Sequence, residues 1–437
     1  MFELTVIFAG LIFFSCTTLS WKYSAEKGSM TLLSWAVVGI GLIYGLGWIL
    51  VLLATRDGQN ERWERWILPF ENLFLVQNLS VIFLIAGIWA GWQTTRRVRV
   101  WSSRFSSKRL DFSDEKALMY AWALFALAVF FQWIYVSAYG GLIEYLDYSA
   151  LIRSSIFEVE NKFGFLRPFA GLAFFSSYLF WGLWRGRKTR LIIWIGLAVS
   201  FSFSLYVLYS WLGRVGFVAY LSAFFLAQAL WMGIAPARLM LGSILGGVIL
   251  LFVLYGITNF LEIAEVGGFY SFVAKELSFP FGSFFAQLSL GEHLFRGFKD
   301  FLYAPVYFFP SSWWVDWIES VSDVNTIVIE GAKKGEQGVT GGIPVDLVTF
   351  GLMQASVFGV PVVGFLFGLM LSFLQGIVEG FRNPRVRLIL LSYVSIKIAI
   401  VAIFYAHPAH VIVQNFDLIA FFLLLIVFSF FGRLRLK

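Results

Sequence analysis

The sequence predicts an all-α polytopic integral membrane protein with about eleven transmembrane helices and one large helical loop on the outer side. Three observations carry this. Of 437 residues, 59% are hydrophobic, 19% aromatic and 14% charged, whereas a soluble domain carries about 25% charged residues. Apolar runs of roughly 20 residues recur, the length needed to cross a bilayer as a helix. They lack the alternation of a membrane barrel. The connections between the runs sort by charge into two classes.

Taken in order, the spans fall near 2–20, 31–54, 72–93, 117–138, 168–184, 191–209, 216–234, 239–260, 345–375, 388–405 and 412–431. The first begins MFELTVIFAG, with Glu3 and no basic n-region, and reads as a span and not a cleaved signal. The ninth is long and Gly-rich, which predicts a broken, tilted or half-embedded segment. Gly41–Gly45, Gly242–Gly246 and Gly364–Gly368 are small-xxx-small pairs that predict close helix packing. Cys16 is the one cysteine, so a disulfide framework and a Cys-based metal site are excluded.

One class of connection is short and basic: RRVRVWSSRFSSKRL, RGRKTR, FRNPRVR and the terminal GRLRLK. With Lys22, Lys27, Lys116 and Arg238 it holds 20 of the 33 Lys and Arg residues and 5 of the 26 acids, a net +15. The other class holds 12 basic and 20 acidic residues, a net −8, with Lys397 and Asp417 left inside spans. The positive-inside rule places the basic class, and the C-terminus, in the cytoplasm and the N-terminus outside. The overall +7 then reflects orientation and attraction to membrane lipids, not nucleic-acid binding.

The outer side then carries the loop 55–71, the stretch 139–167, a tight turn around Trp211–Gly216 and the loop 262–344. In the last, PFGSFFAQLSLGEHLFRGFKDFLY and SSWWVDWIESV mix aromatics with charges and predict amphipathic helices at the membrane surface. Arg153 stands near Lys162 and Arg167; a guanidinium fork matches a phosphate, or pairs with Glu158 or Glu160. Arg214, in WLGRVGF between two spans, sits at the outer surface where a lone charge needs a partner. GEHLFRGFKD puts Glu292, His293, Arg296 and Lys299 on two helical turns, with His293 a natural base, or is a solvated face. His407 and His410 are three apart, read as capping or packing ahead of metal binding. Lys397 and Asp417 read first as a structural intramembrane pair and second as a proton relay. The chain has no Walker A loop and no Asp-x-Asp pair, which excludes an ATP motor and the familiar metal-nucleotide-sugar site.

These residues resemble a family. YGGLIEYLDYSALIR in one outer loop, Gly213-Arg214 at a short turn, a large second outer loop and then GGIPVDLVTFGLMQASVFGVPVVGFLFG are similar to the O-antigen polymerase (Wzy) family of repeat-unit polymerases. Arg153, ten residues and Gly164 match the Arg-x10-Gly pattern of some members, whereas Arg296 is followed eleven positions on by Tyr307. The resemblance implies a GT-C-like, metal-independent, cofactor-free glycosyltransferase of a bacterial inner membrane, its active site facing the periplasm. Donor and acceptor would be glycans on undecaprenyl diphosphate, and a chain-length regulator would be a partner. Arg153 and Arg214 are expected on the donor diphosphate, Arg296 and Lys299 on the acceptor's or assisting the donor. His293 is expected as the base, with Glu158 and Asp147 behind it. The nearest alternative is an O-antigen ligase, acting on a lipid A core. The next is a lipid or oligosaccharide transporter without chemistry, which predicts charges along a mid-membrane path.

Overall fold

The computed structural model describes residues 2–110, 112–153, 161–186, 190–211, 214–260, 268–290, 295–309, 313–314, 317–339 and 341–434. It is 84% helical, without strands among the described residues. Eight of its helical segments are long and apolar enough to cross a membrane, and two shorter apolar helices cover Val215–Trp231 and Phe416–Phe428. The chain is a polytopic helical membrane protein.

The helices are α1 (Phe2–Lys27), α2 (Leu32–Ile40), α3 (Trp48–Arg56), α4 (Glu61–Ile67), α5 (Phe74–Thr94), α6 (Arg96–Arg109), α7 (Asp114–Val136), α8 (Glu144–Arg153), α9 (Leu172–Gly186), α10 (Leu191–Trp211), α11 (Arg214–Trp231) and α12 (Pro236–Phe260). There follow α13 (Phe269–Leu277), α14 (Phe279–Ser289), α15 (Lys299–Tyr303), α16 (Val321–Glu330), α17 (Leu347–Gly380), α18 (Pro384–Val394), α19 (Val401–Phe404), α20 (Pro408–Val413) and α21 (Phe416–Leu434). Wider π turns at Gly41–Gly47 and Ser395–Ile400 join α2 to α3 and α18 to α19. The expected connection RRVRVWSSRFSSKRL is mostly the helix α6.

Glycine sets the tightest helix pair. A Cβ on Gly87 or Gly91 of α5 would lie 2.2 Å from the Pro361 oxygen or 2.1 Å from the Phe365 oxygen of α17. One on Gly364 or Gly368 would lie 2.6 Å from the Leu84 oxygen or 2.2 Å from the Ile88 oxygen. The backbones therefore touch along two turns, as the Gly364–Gly368 spacing predicts. Gly41 and Gly45 likewise meet α1 at Cys16 and Phe13. Gly242 and Gly246 have no atom near such a Cβ, and α12 is exposed along most of its length.

The predicted break in the ninth span is a hairpin. Within α17, Ala355 (φ −157°, ψ 46°) and Ser356 (φ 55°, ψ −155°) leave helical geometry. In a continuous helix Gly351 and Val360 would stand about 13 Å apart. Instead a Cβ on Gly351 would lie 2.6 Å from the Val360 Cα, and one on Gly359 would lie 2.1 Å from the Gly351 oxygen. Residues 347–354 thus run against residues 357–380, with the tip at 355–356.

The short arm starts deep in the bundle. Its N-cap Asp346 accepts 2.5 Å from the Tyr44 hydroxyl and also from the Val348 and Thr349 amides. Tyr44 is twelve residues from Leu32 and twelve from Arg56, so it lies about 18 Å from either end of that span. Residues 341–346 therefore descend into the protein. Their backbone is satisfied there: the Ile343 amide donates to the Thr326 hydroxyl (2.8 Å), Asn325 Nδ2 donates to the Ile343 and Pro344 oxygens, and the Ala406 amide donates to the Val345 oxygen (3.0 Å).

This re-entry changes the reading of the loop 262–344. Pro280 to Gln287, expected on a surface helix, are all buried in α14. Phe281 stacks on Trp48 with centroids 4.2 Å apart, and Gly282 is pressed on the Trp63 ring. An unbroken run of aromatics and small residues reads as interfacial in sequence, but here it fills the space beside the hairpin. Trp313 and Trp317 are exposed, in keeping with interfacial rings. We expect Gly91→Leu to lower the unfolding temperature of the detergent-solubilised protein, since overpacking costs about 1–3 kcal/mol and here meets backbone. Gly242→Leu, with open space, is expected to leave it unchanged; equal effects would contradict the packing described.

A buried polar cluster at the hairpin tip

GEHLFRGFKD does not continue as one helix. α14 ends at Ser289, Gly297 and Phe298 both have positive φ (59° and 60°), and α15 starts at Lys299. The expected His293–Arg296 pairing on a helix face is thereby corrected for its described half; Glu292 and His293 lie outside the described residues. The two turns have a different use. The Arg296 and Gly297 amides donate to the Met353 and Gln354 oxygens at 2.9 and 3.0 Å, capping the short arm of α17 where its own hydrogen bonds stop.

This stitch fixes Arg296, whose side chain is 7% exposed. Its Nε and Nη2 donate to the two carboxylate oxygens of Asp300 at 2.8 and 2.9 Å, and Nη2 also reaches the Glu319 oxygen at 3.0 Å. Gln354 Nε2 donates to Asp300 at 2.8 Å. His407 Nε2 lies 3.9 Å from Asp300 and 3.5 Å from the Tyr307 hydroxyl, and both Asp300 and His407 are fully enclosed. His410 packs 6.0 Å from His407, with Nδ1 3.3 Å from the Ser322 hydroxyl. Burial by itself would raise the Asp300 pKa, but the bonds and charge of Arg296 outweigh it and hold the group below its usual range. Burial, with His410 and Arg296 nearby, pushes His407 down to about 3 against the pull of Asp300. The cluster at neutral pH is a carboxylate, a guanidinium and a neutral imidazole.

The expected site residues divide. Arg296 is in the cluster, but its fork is occupied by Asp300. Lys299 is exposed beside it, among the exposed side chains of Phe295, Leu302 and Phe358, the last 84% exposed at the hairpin tip. Asp147 is exposed on α8. Arg153 closes α8 and Arg214 opens α11, their side chains outside what the structure describes; Glu158 is outside it altogether. The turn leading into α8 is tied to the C-terminal half of α10 by the Tyr206 hydroxyl, which donates to the Leu142 oxygen at 2.6 Å. α11 follows that same helix, so the two arginines belong to one end of the bundle.

Several members of the cluster escape sequence reasoning. Asp300 stands four residues after Arg296, a spacing that signals a helical ion pair, but its burial comes from Gln354 and His407, distant in sequence. Gln354 had no signal beyond its place in a Gly-rich span. His407, expected in capping or packing, is buried and also faces a carboxylate. No group of three His, Cys, Asp or Glu gathers among the described residues. Asp417 accepts from the Tyr393 hydroxyl and from the Leu418 amide, while Lys397 sits in the π turn of the neighbouring span.

The fold and cluster define a polytopic helical membrane protein with a re-entrant hairpin and an enclosed ion pair and imidazole at its tip. Compared with protein-family models, curated proteins and solved structures, the chain matches none.

Two outcomes are expected. Arg296→Ala strands the Asp300 carboxylate, a loss of about 3–5 kcal/mol; adding Asp300→Asn should restore part of the unfolding temperature. The folded pKa of His407 lies below the unfolded value of 6.5, so below about pH 6.5 the unfolded chain binds a proton that the folded chain does not. Stability should therefore fall as pH drops from about 6.5 towards 3, with Asp300 adding to the loss below about pH 4. His407→Gln should flatten the upper part of that profile in a thermal-shift series; an unchanged slope would refute the assignment.

Proposed function

We propose that the protein is a glycosyltransferase that elongates a lipid-linked surface polysaccharide in a bacterial inner membrane, working at its periplasmic side. The observation that carries this is the Arg296–Asp300–Gln354–His407 cluster enclosed under a rim of exposed aromatics and Lys299. It unites a carboxylate, cations, an imidazole and exposed apolar surface at the hairpin tip. The family resemblance of 139–153 and 341–368 supports the same reading.

In this reaction the acceptor hydroxyl attacks the anomeric carbon of the donor. A C–O glycosidic bond forms, the bond from that carbon to the phosphate oxygen breaks, and the lipid diphosphate leaves with its electron pair. The acceptor proton passes to a base. Charge grows on the diphosphate, and fixed cations answer it electrostatically. Arg153, Arg214 and Lys299 serve that role in this reading. Arg296 is assigned to positioning, because its fork already holds Asp300. His293 takes the proton in this reading, with Glu158 and Asp147 behind it; His407, enclosed and held down to about 3, is assigned to the packing around Asp300.

The test uses purified full-length protein, synthetic undecaprenyl-diphosphate repeat units and EDTA. A ladder of longer glycans is expected from wild type. It should be lost in Arg153→Ala and Arg214→Ala, and slowed about 10²–10⁴-fold in His293→Ala. No ladder from folded, lipid-binding protein would refute the polymerase. Transfer to added lipid A core would then identify a ligase, and no transfer at all a transporter.

A further inference from the structure

Away from the hairpin tip, the other end of the bundle carries a second built surface. α6 follows α5 after one non-helical residue, Thr95, so its first turn starts where a membrane-crossing helix ends. Its inner face is pinned to the last turns of α17. The Ser102 hydroxyl donates to the Phe373 oxygen at 3.0 Å, and Ser102 and Ser106 are buried. A Cβ on Gly376 would lie 2.3 Å from the Arg99 oxygen, and one on Gly380 would lie 2.4 Å from the Ser103 oxygen. Arg99 is used at the root, its guanidinium 4.4 Å from the Trp92 ring centre.

The opposite face presents Arg97, Trp101 and Arg104, at i, i+4 and i+7, one stripe about 10 Å long. All three are exposed, Trp101 at 61%. Trp101 is steadied by Phe105 and Phe373 at 6.0 and 6.3 Å, so it is a fixed ring, not a loose one. Two of the few acids at this end are taken: Glu379 by Gln375, and Asp114 by Arg385 and Asn383. The connecting segments at this end are net +15 by sequence.

We propose that the Arg97–Trp101–Arg104 stripe of α6 is a binding site for the headgroups of anionic phospholipids. Two guanidiniums match phosphate oxygens, an indole between them suits the headgroup layer, and the direct run from α5 places the stripe against the bilayer. Because glycine and serine hold α6 on α17, no ordering of a flexible basic loop opposes binding. The site is independent of the transferase chemistry.

The full-length protein is reconstituted in phosphatidylcholine vesicles with spin-labelled phosphatidylglycerol or spin-labelled phosphatidylcholine, and the motionally restricted fraction is read by EPR. Wild type should prefer phosphatidylglycerol, and Arg97→Gln/Arg104→Gln should reduce that preference several-fold with unfolding temperature unchanged. Trp101→Ala should weaken retention of both lipids. Equal retention by wild type, or a preference that survives the double substitution, overturns the proposal. So does full displacement of the restricted phosphatidylglycerol by inorganic phosphate or by poly-glutamate, which would assign the stripe to free phosphate or to an acidic protein.

Discussion

Backbone that leaves helical geometry inside a membrane bundle must find every hydrogen-bond partner within the protein, and the segment 341–356 is built around that constraint. It descends to the level of Tyr44, turns at Asp346, climbs as the short arm of α17 and reverses at Ser356. Much of the backbone it takes down is met from other parts of the chain. Asn325 and Thr326 of α16 serve Ile343 and Pro344; Ala406 serves Val345; Asp346 caps its own helix and takes the Tyr44 hydroxyl. Arg296 and Gly297 close the other end of the arm. The loop before α17 is therefore a required half of the hairpin. It cannot be an independent outer domain, because its amides and side chains complete the buried backbone.

That requirement also positions the candidate site. Capping Met353 and Gln354 brings residues 296–300 against the hairpin tip. Once there, Arg296 and Asp300 are out of water and must neutralise one another. Gln354 and His407 then occupy the remaining space around the carboxylate. A residue that sequence alone presents as a free phosphate-binding arginine is paired with a buried carboxylate, while its neighbour Lys299 stays exposed. The strain at Phe298 and Ser356 sits on both sides of this contact, where the two turns are stitched together.

The bundle is polar at its two ends in different ways. One end gathers enclosed, largely paired groups under exposed aromatics. The other keeps its cations outward on a helix clamped by glycine. Both arrangements depend on α17, whose long arm lies along α5 and α6 at backbone contact. The small residues along that arm hold together the hairpin tip, the membrane bundle and the basic surface.

The amino-acid order by itself determined the helical membrane class, most span positions, the charge asymmetry and the irregular ninth span, because each depends on local hydropathy, charge or glycine content. It also showed that Gly364 and Gly368 pack closely, since small residues at that spacing permit backbone contact wherever a partner exists. Gly242 and Gly246 have the same spacing and no partner, a difference only the assembled helices decide. The tertiary structure alone decided that Phe281 to Phe285 are core and not interface, that Arg296 is paired, and that Asp300, Gln354 and His407 meet across more than a hundred positions. Burial and pairing are properties of what packs against a residue, and hydropathy over a window carries no record of that. Of the arginines singled out in sequence, Arg153 ends α8 and Arg214 opens α11, while Arg296 is paired because a carboxylate four residues on is buried with it.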